Sequence, residues 1–226
     1  MRDIKPLLID YGHGGLIDGV YQTPGGKQYT CTDVDPNLVL YEGVSNRMTA
    51  AALMRLARAE GMAVFDVVAD VWVTDPLTWQ ELEQRDISLQ ARVQSANRHR
   101  DGILISCHSN AVGNVIKGPS QAANGIDIYT YYGESGADPI ASAIWQSFKD
   151  NQDALRVRSG DWTDNDPDCE AGFYILRKTS MPAVLGEIGF FTNLHDAQYL
   201  AELQNHETIA ACYWYGVRDF VGVQRA

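Results

Sequence analysis

Two histidines and two glutamates stand where side chains of these types can do hydrolytic chemistry. His13 follows the aliphatic run Leu7-Leu8-Ile9-Asp10-Tyr11 inside Gly12-His13-Gly14-Gly15, and His108 follows the run Gly102-Ile103-Leu104-Ile105-Ser106-Cys107. Each run reads as a buried strand that delivers an imidazole to the end of a sheet. The glycines around His13 permit a sharp turn and the close approach of a ligand. Glu42 opens a helical pattern, and Glu187 lies in the apolar stretch Leu185-Gly186-Glu187-Ile188-Gly189. Two imidazoles and a carboxylate match the three-ligand set of a catalytic zinc, which leaves one coordination position open. His13, Glu42 and His108 are therefore the candidate metal ligands. Glu187 is the candidate general base, because an unpaired carboxylate is costly to bury in an apolar strand. The plainer reading of Glu187 is a salt bridge to Arg177 or Lys178.

These residues need a scaffold that brings distant segments together. Leu16 to Asn37, with Thr23-Pro24-Gly25-Gly26, reads as a long loop or small hairpin. Helical spacing of Val44, Met48, Ala51, Ala52, Met54 and Leu56 runs through Glu60 and stops at Gly61. Met62 to Val68 reads as a strand, Asp75-Pro76 as a turn, and Leu82 to Arg98 as one helix with Leu89, Val93 and Ala96 on its inner face. After the His108 strand, Gly125 to Tyr132 alternates as a half-buried strand and Pro139 to Asp150 follows as a helix. Ser159 to Glu170 is a loop dense in Asp and Gly. Phe173–Leu176 and Ala183–Ile188 read as strands, and a helix pair through about Val221 packs Ile209, Tyr213 and Val217 inward. The β-α-β alternation predicts one three-layer α/β/α domain over residues 1–226 with a central, mostly parallel twisted sheet, whose strand ends gather the candidate ligands.

A chain of 226 residues with 45% hydrophobic residues can bury one large core. The net charge of -11, without clustered Lys and Arg, argues against nucleic acid and against an anionic membrane surface. No apolar run reaches the roughly 18 residues of a membrane span, and no hydrophobic stretch backs the charges of the N-terminus. The expectation is that the protein stays in the cytoplasm or leaves it by another route. Cys31, Cys107, Cys169 and Cys212 are scattered singly, so buried thiols are expected in place of a disulfide framework or a zinc ribbon.

Taken in order, Gly12-His13-Gly14-Gly15, Glu42, Ser88-Leu89 with Arg92 and Ala96-Asn97, Ser106-Cys107-His108-Ser109-Asn110-Ala111, Leu176-Arg177, and Pro182 to Phe190 resemble the zinc-dependent N-acetylmuramoyl-L-alanine amidases of the amidase type 3 family. The resemblance implies one Zn2+ held by His13, Glu42 and His108, with Glu187 as the catalytic carboxylate. It also implies peptidoglycan as substrate, cut between N-acetylmuramic acid and the L-alanine of the stem peptide. Asn110 is a guess as a substrate contact. With no separate wall-binding domain and no secretory signal, the chain looks like a monomeric phage-type endolysin. It departs from the family in the longer link between His13 and Glu42, in Cys107 where an aliphatic residue is usual, and in the acidic loop Ser159 to Glu170.

Other readings fit these residues less well. A cysteine hydrolase using Cys107 and His108 fails because adjacent strand residues point to opposite faces. A catalytically silent peptidoglycan-binding domain of the same fold would not need all four polar residues. Asp161, Asp164, Asp166, Asp168 and Glu170 lack the central Gly of a calcium loop, and Pro167 interrupts them, so a solvated substrate-side loop is expected. His99, His195 and His206 read as surface residues, and Tyr21, Tyr29 or Trp162 as possible platforms for sugar.

Overall fold

The Leu7–Tyr11 run forms β1, buried along its whole length near the centre of a seven-stranded sheet. The computed structural model describes residues 5–23, 27–30, 35, 37–75, 77–112, 123–158, 160 and 166–222. Cys31, Pro76 and Trp162, the glycines of the Thr23-Pro24-Gly25-Gly26 turn and much of the Ser159 to Glu170 loop lie outside these residues. In chain order, β2 (Leu16–Ile17) and β3 (Val20–Tyr21) form one hairpin, and β4 (Gln28–Thr30) pairs with β5 (Val39–Tyr41). Then come α1 (Glu42–Ala59), β6 (Val64–Asp66), β7 (Val71–Trp72), α2 (Trp79–Glu83), α3 (Leu89–Ala96), β8 (Ile103–Asn110) and β9 (Ile126–Thr130). The rest is α4 (Asp138–Asn151), β10 (Cys169–Glu170), α5 (Tyr174–Lys178), β11 (Ala183–Phe190), α6 (Leu194–Ala201) and α7 (Leu203–Val221).

The sheet order is β10-β9-β11-β8-β1-β6-β7. β11, β8, β1 and β6 run parallel and β10 runs parallel to β9, while β9 is antiparallel to β11 and β7 to β6. Alternate residues divide between the two faces. Leu7, Ile9, Ile103, Ile105, Val184 and Ile128 pack under the long helices α1, α4 and α7. Leu8, Leu104 and Leu185 pack with residues of the short helices α3 and α5, among them Val93, Ala96, Ile175 and Leu176. Short helices cover only part of that second face. The same phase carries Asp10, Ser106, His108 and Glu187 toward the carboxyl ends of their strands, where ligands sit in parallel α/β sheets.

Several elements differ from the sequence reading. The expected single helix Leu82 to Arg98 is two helices. Thr78 and Glu81 form a reciprocal capping box at α2, and Ser88 Oγ accepts from Ala91 N at 3.2 Å to start α3. Arg47 donates to the carbonyls of Leu82 and Arg85 in the break, so the frayed backbone is satisfied without helical continuation. Leu89, at the first position of α3, is 48% exposed and not on the inner face. Phe173–Leu176 contributes to a helix, α5, whose Ile175 and Leu176 are buried; a four-residue apolar run does not separate helix from strand by periodicity. The strand expected over Met62 to Val68 is only Val64–Asp66, because Asp66 Oδ1 accepts from the N–H groups of Val68 and Ala69 and turns the chain. β9 is buried at every position but Tyr129, because Ile126 and Ile128 pack into the core under the long helices while Asp127 on the other face is covered by Arg158 and Asn110.

His206 is fully buried, contrary to its expected place on the surface. Its Nε2 lies 2.9 Å from the Leu200 carbonyl and its Nδ1 lies 2.8 Å from Thr49 Oγ1, so it joins α7 to α1 and to the end of α6. The side chain of His195 is exposed, whereas His99 is half-buried against Phe65 and Trp72. Asp168 is buried too, accepting from Thr130 Oγ1 at 2.7 Å, so the end of the acidic loop packs on β9 and is not solvated.

Candidate metal centre and its surroundings

Glu42 is the hub of the site. It is the first residue of α1, fully buried, and its Oε1 lies 3.1 Å from His13 Nε2 and 3.2 Å from His108 Nδ1. The three donor atoms lie within 4.8 Å of one another, and they are the one such group of three His, Cys, Asp or Glu ligands among the described residues. Oε2 has Lys27 Nζ at 3.1 Å as an ion-pair partner but receives no hydrogen bond. The long link between β1 and α1 thus reaches the site. Lys27 O accepts from Glu42 N, and Tyr21 Oη accepts from Gly43 N, satisfying the first N–H groups of a helix whose N-cap side chain makes no bond. Tyr21 supports α1 in this way, and Tyr29 is fully buried; neither is an open sugar platform.

His13 has a φ of +64°, a left-handed conformation uncommon for residues other than glycine. Its carbonyl accepts from Arg47 Nη1 at 3.0 Å and from Arg92 Nη2 at 3.1 Å, which holds the turn in this shape. Both arginines are buried, and Arg92 is itself paired with Asp10 at 2.9 Å and Asp86 at 3.0 Å. His108 lies over Gly12, where a Cβ would stand 2.0 Å from the ring. Glycine is required there by the close approach of the imidazole. The two imidazoles meet edge to face with centroids 5.1 Å apart.

Burial opposes the negative charge of Glu42, but hydrogen bonding with His108 and His13 outweighs it and holds the carboxyl well below its usual range. Burial likewise disfavours a charged His108, and the Glu42 and Glu187 carboxylates outweigh it. In His13 burial prevails and lowers the pKa. Two nitrogens and one buried carboxylate oxygen, aimed at one point with an unbonded second oxygen behind, fit a zinc-type centre.

Glu187 stands in β11 directly opposite His108 of β8 and Asp127 of β9, so the three side chains share one face and one row across the sheet. No salt bridge joins Glu187 to Arg177 or Lys178 among the described residues, and its buried Oε2 has no hydrogen-bond partner. Burial pushes its carboxyl up to about 7, His108 opposing and Glu42 adding to the shift. Asn110 donates to Asp127 Oδ2 at 3.3 Å and accepts from Ala111 N, so its amide is engaged within the protein. Cys107 is buried on the opposite face from His108, its thiol pushed up to above the ordinary range by burial. Sequence reasoning passed over Lys27, Asp127 and Arg158. The alternation of Asp127 with Tyr129 on β9 was the available signal for one of them; the others reach the site from loops.

On the β1 side of the histidines lies a cleft of about 270 Å³ lined by Gln22, Thr23, Asp86, Ile87 and Leu89 together with His13 and His108. An open face beside a convergent donor set and a carboxylate without a bonding partner can hold a substrate carbonyl against a metal and a proton carrier.

Comparison with known proteins bears on the family and the fold. The chain is 23% identical over 222 residues to the YqiI protein of Bacillus subtilis (strain 168), covering 96% of this chain and 84% of that one. It is 27% identical over 205 residues to the probable cell wall amidase LytH of Staphylococcus aureus, covering 91% of this chain but 54% of LytH, so it spans about half the length of that relative. It shares its fold with the N-acetylmuramoyl-L-alanine amidase AmiC2 of Nostoc punctiforme, at a TM-score of 0.71 and 22% identity over 98% of this chain and 99% of that one. The family model described as N-acetylmuramoyl-L-alanine amidase matches residues 7–219, from the first strand of the sheet into the last helix, and the chain belongs to that family.

Proposed function

We propose that the protein is a zinc-dependent hydrolase of the amide bond between N-acetylmuramic acid and L-alanine in peptidoglycan. The observation that carries this reading is the convergence of His13 Nε2, His108 Nδ1 and Glu42 Oε1, with Glu187 next to His108 in the same row. A zinc ion in such a donor set supplies Lewis acidity toward a carbonyl oxygen and acidifies water to near neutral pH. Glu187 takes a proton from the attacking water as its oxygen adds to the lactyl carbonyl carbon. It returns that proton to the amide nitrogen as the carbon–nitrogen bond breaks, so the products are a lactyl carboxylate and a free L-alanine amine. Its buried, unbonded Oε2 suits a group that alternates between charged and neutral forms. Arg47 and Arg92 keep His13 in place through its carbonyl, and Lys27 holds the outer oxygen of Glu42.

The test is to digest purified peptidoglycan with zinc-loaded protein and identify the products by mass. Intact stem peptides with a free L-alanine amine and unbroken glycan strands are expected. New reducing sugar ends would mean a glycosidase, cleavage within the stem a peptidase, and no products a silent binding domain.

A further inference from the structure

We propose that Arg158, held by Asp127, forms a carboxylate-binding subsite for the stem peptide on the far side of Glu187 from the sugar. This rests on the amidase reading and adds a specificity determinant to it. The group that protonates a departing amine must stand on the amine side of the scissile bond. The row His108, Glu187, Asp127 then fixes direction: from the histidines toward β9 runs the peptide, and toward β1, where the Gln22, Thr23 and Asp86 cleft opens, lies the sugar.

Arg158 stands at the peptide end of that row. Its Nε lies 2.9 Å from Asp127 Oδ1, and its guanidinium lies 5.2 Å from the centre of the Phe190 ring. Asp127 is buried, and Asn110 occupies its other oxygen at 3.3 Å, so the anchor is fixed from two sides. The arginine side chain remains 39% exposed, and Asp127 is its ion-pair partner among the described residues. An arginine tied through Nε presents its two Nη groups as a planar fork, the geometry that takes a carboxylate in bidentate fashion. Asp127 stands one strand spacing, about 4.8 Å, from Glu187, and Arg158 reaches it from the segment beyond β9, where Val157 pairs with Ile126, so the fork lies between one and two strand spacings from Glu187, on the order of two residues of extended chain. A carboxylate on the residue after the alanine comes within its reach. In a chain of net charge -11, a clamped cation beside the proposed reaction centre is a selective feature.

The test uses two synthetic glycan tetramers whose stem peptides differ only at the residue after L-alanine, which carries a free α-carboxylate in one and its amide in the other. Zinc-loaded wild type should favour the free acid by about tenfold to a hundredfold in kcat/KM, expressed in KM, the range for a charge-assisted contact. Arg158→Gln should bring the ratio close to one with zinc content unchanged, and Arg158→Lys, which keeps charge but loses the fork, should retain part of it. A wild-type ratio near one, or a ratio that survives in Arg158→Gln, would overturn the subsite. Both tetramers contain the complete cleavage unit, so failure to cut both would count against the amidase reading, whereas cleavage of both at equal rates would count against the subsite alone.

Discussion

Acid should loosen the molecule at a point far from the proposed reaction centre, through His206. The imidazole is fully buried, with Nε2 donating to the Leu200 carbonyl at 2.9 Å and Nδ1 accepting from the Thr49 hydroxyl at 2.8 Å in its neutral form. Burial lowers its pKa from 6.5 to about 4, the Leu200 carbonyl opposing only in part. A base with a depressed folded pKa binds protons more readily when unfolded, so its contribution is full above pH 6.5 and is lost as pH falls toward 4. The difference of about 2.5 units corresponds to about 3 kcal/mol, a large share of the 5–15 kcal/mol that ordinarily holds a domain together. Urea unfolding at a series of pH values between 7.5 and 4, on wild type and His206→Gln, isolates this term. The glutamine amide can donate to Leu200 and accept from Thr49 but does not titrate there, and the other titrating groups cancel in the difference. The wild type should lose about 3 kcal/mol more than the variant across that window. Parallel loss in the two proteins would refute the reasoning.

Two further outcomes follow from the support of the histidines. Gly12→Ala places a Cβ 2.0 Å from the His108 ring, and the ring can swing aside more readily than the strand can move. Zinc affinity should fall about a hundredfold or more with little change in melting temperature, measured by metal titration and calorimetry. Arg92→Met leaves Asp10 buried without its partner and should cost about 3–5 kcal/mol in urea unfolding, with Asp10→Asn in the same chain recovering part of it.

The parts of the fold that can be read from sequence are those decided locally. The aliphatic runs of β1, β8 and β11 are buried on both faces and too short for helices, and the spacing from Val44 to Leu56 with Gly61 after it defines α1. The break between α2 and α3 was readable in principle, because Ser88 stands as an N-cap residue at the start of a second helix. Apolar periodicity running through Leu89 and Val93 outweighed that signal. His206 shares its helical phase with Ile209, Tyr213 and Val217, yet the polar neighbours Asn205 and Glu207 made it read as exposed. Helical phase was the better guide.

The candidate site divides in the same way. His13, Glu42, His108 and Glu187 were found by type, by strand and helix ends, and by resemblance, and the fold brings all four to one place. What sequence could not show is what holds them. The two arginines on the His13 carbonyl, Lys27 behind Glu42, and Asp127 with Arg158 beyond Glu187 all meet through contacts between distant segments, where no spacing rule applies. Asn110 stands two residues after His108 on the same face, and its amide is engaged with Asp127 and Ala111, contacts that its position in the sequence does not reveal.

The central claim is that the trio holds the metal while Glu187 moves the proton, and one preparation tests both. Zinc content and turnover on peptidoglycan are to be measured side by side on purified wild type and Glu187→Gln. The account predicts about one zinc per chain in each, with turnover of the variant reduced by a hundredfold or more, the usual worth of a positioned general base. A zinc-loaded Glu187→Gln with turnover near that of the wild type, or a variant that fails to bind zinc, would contradict it.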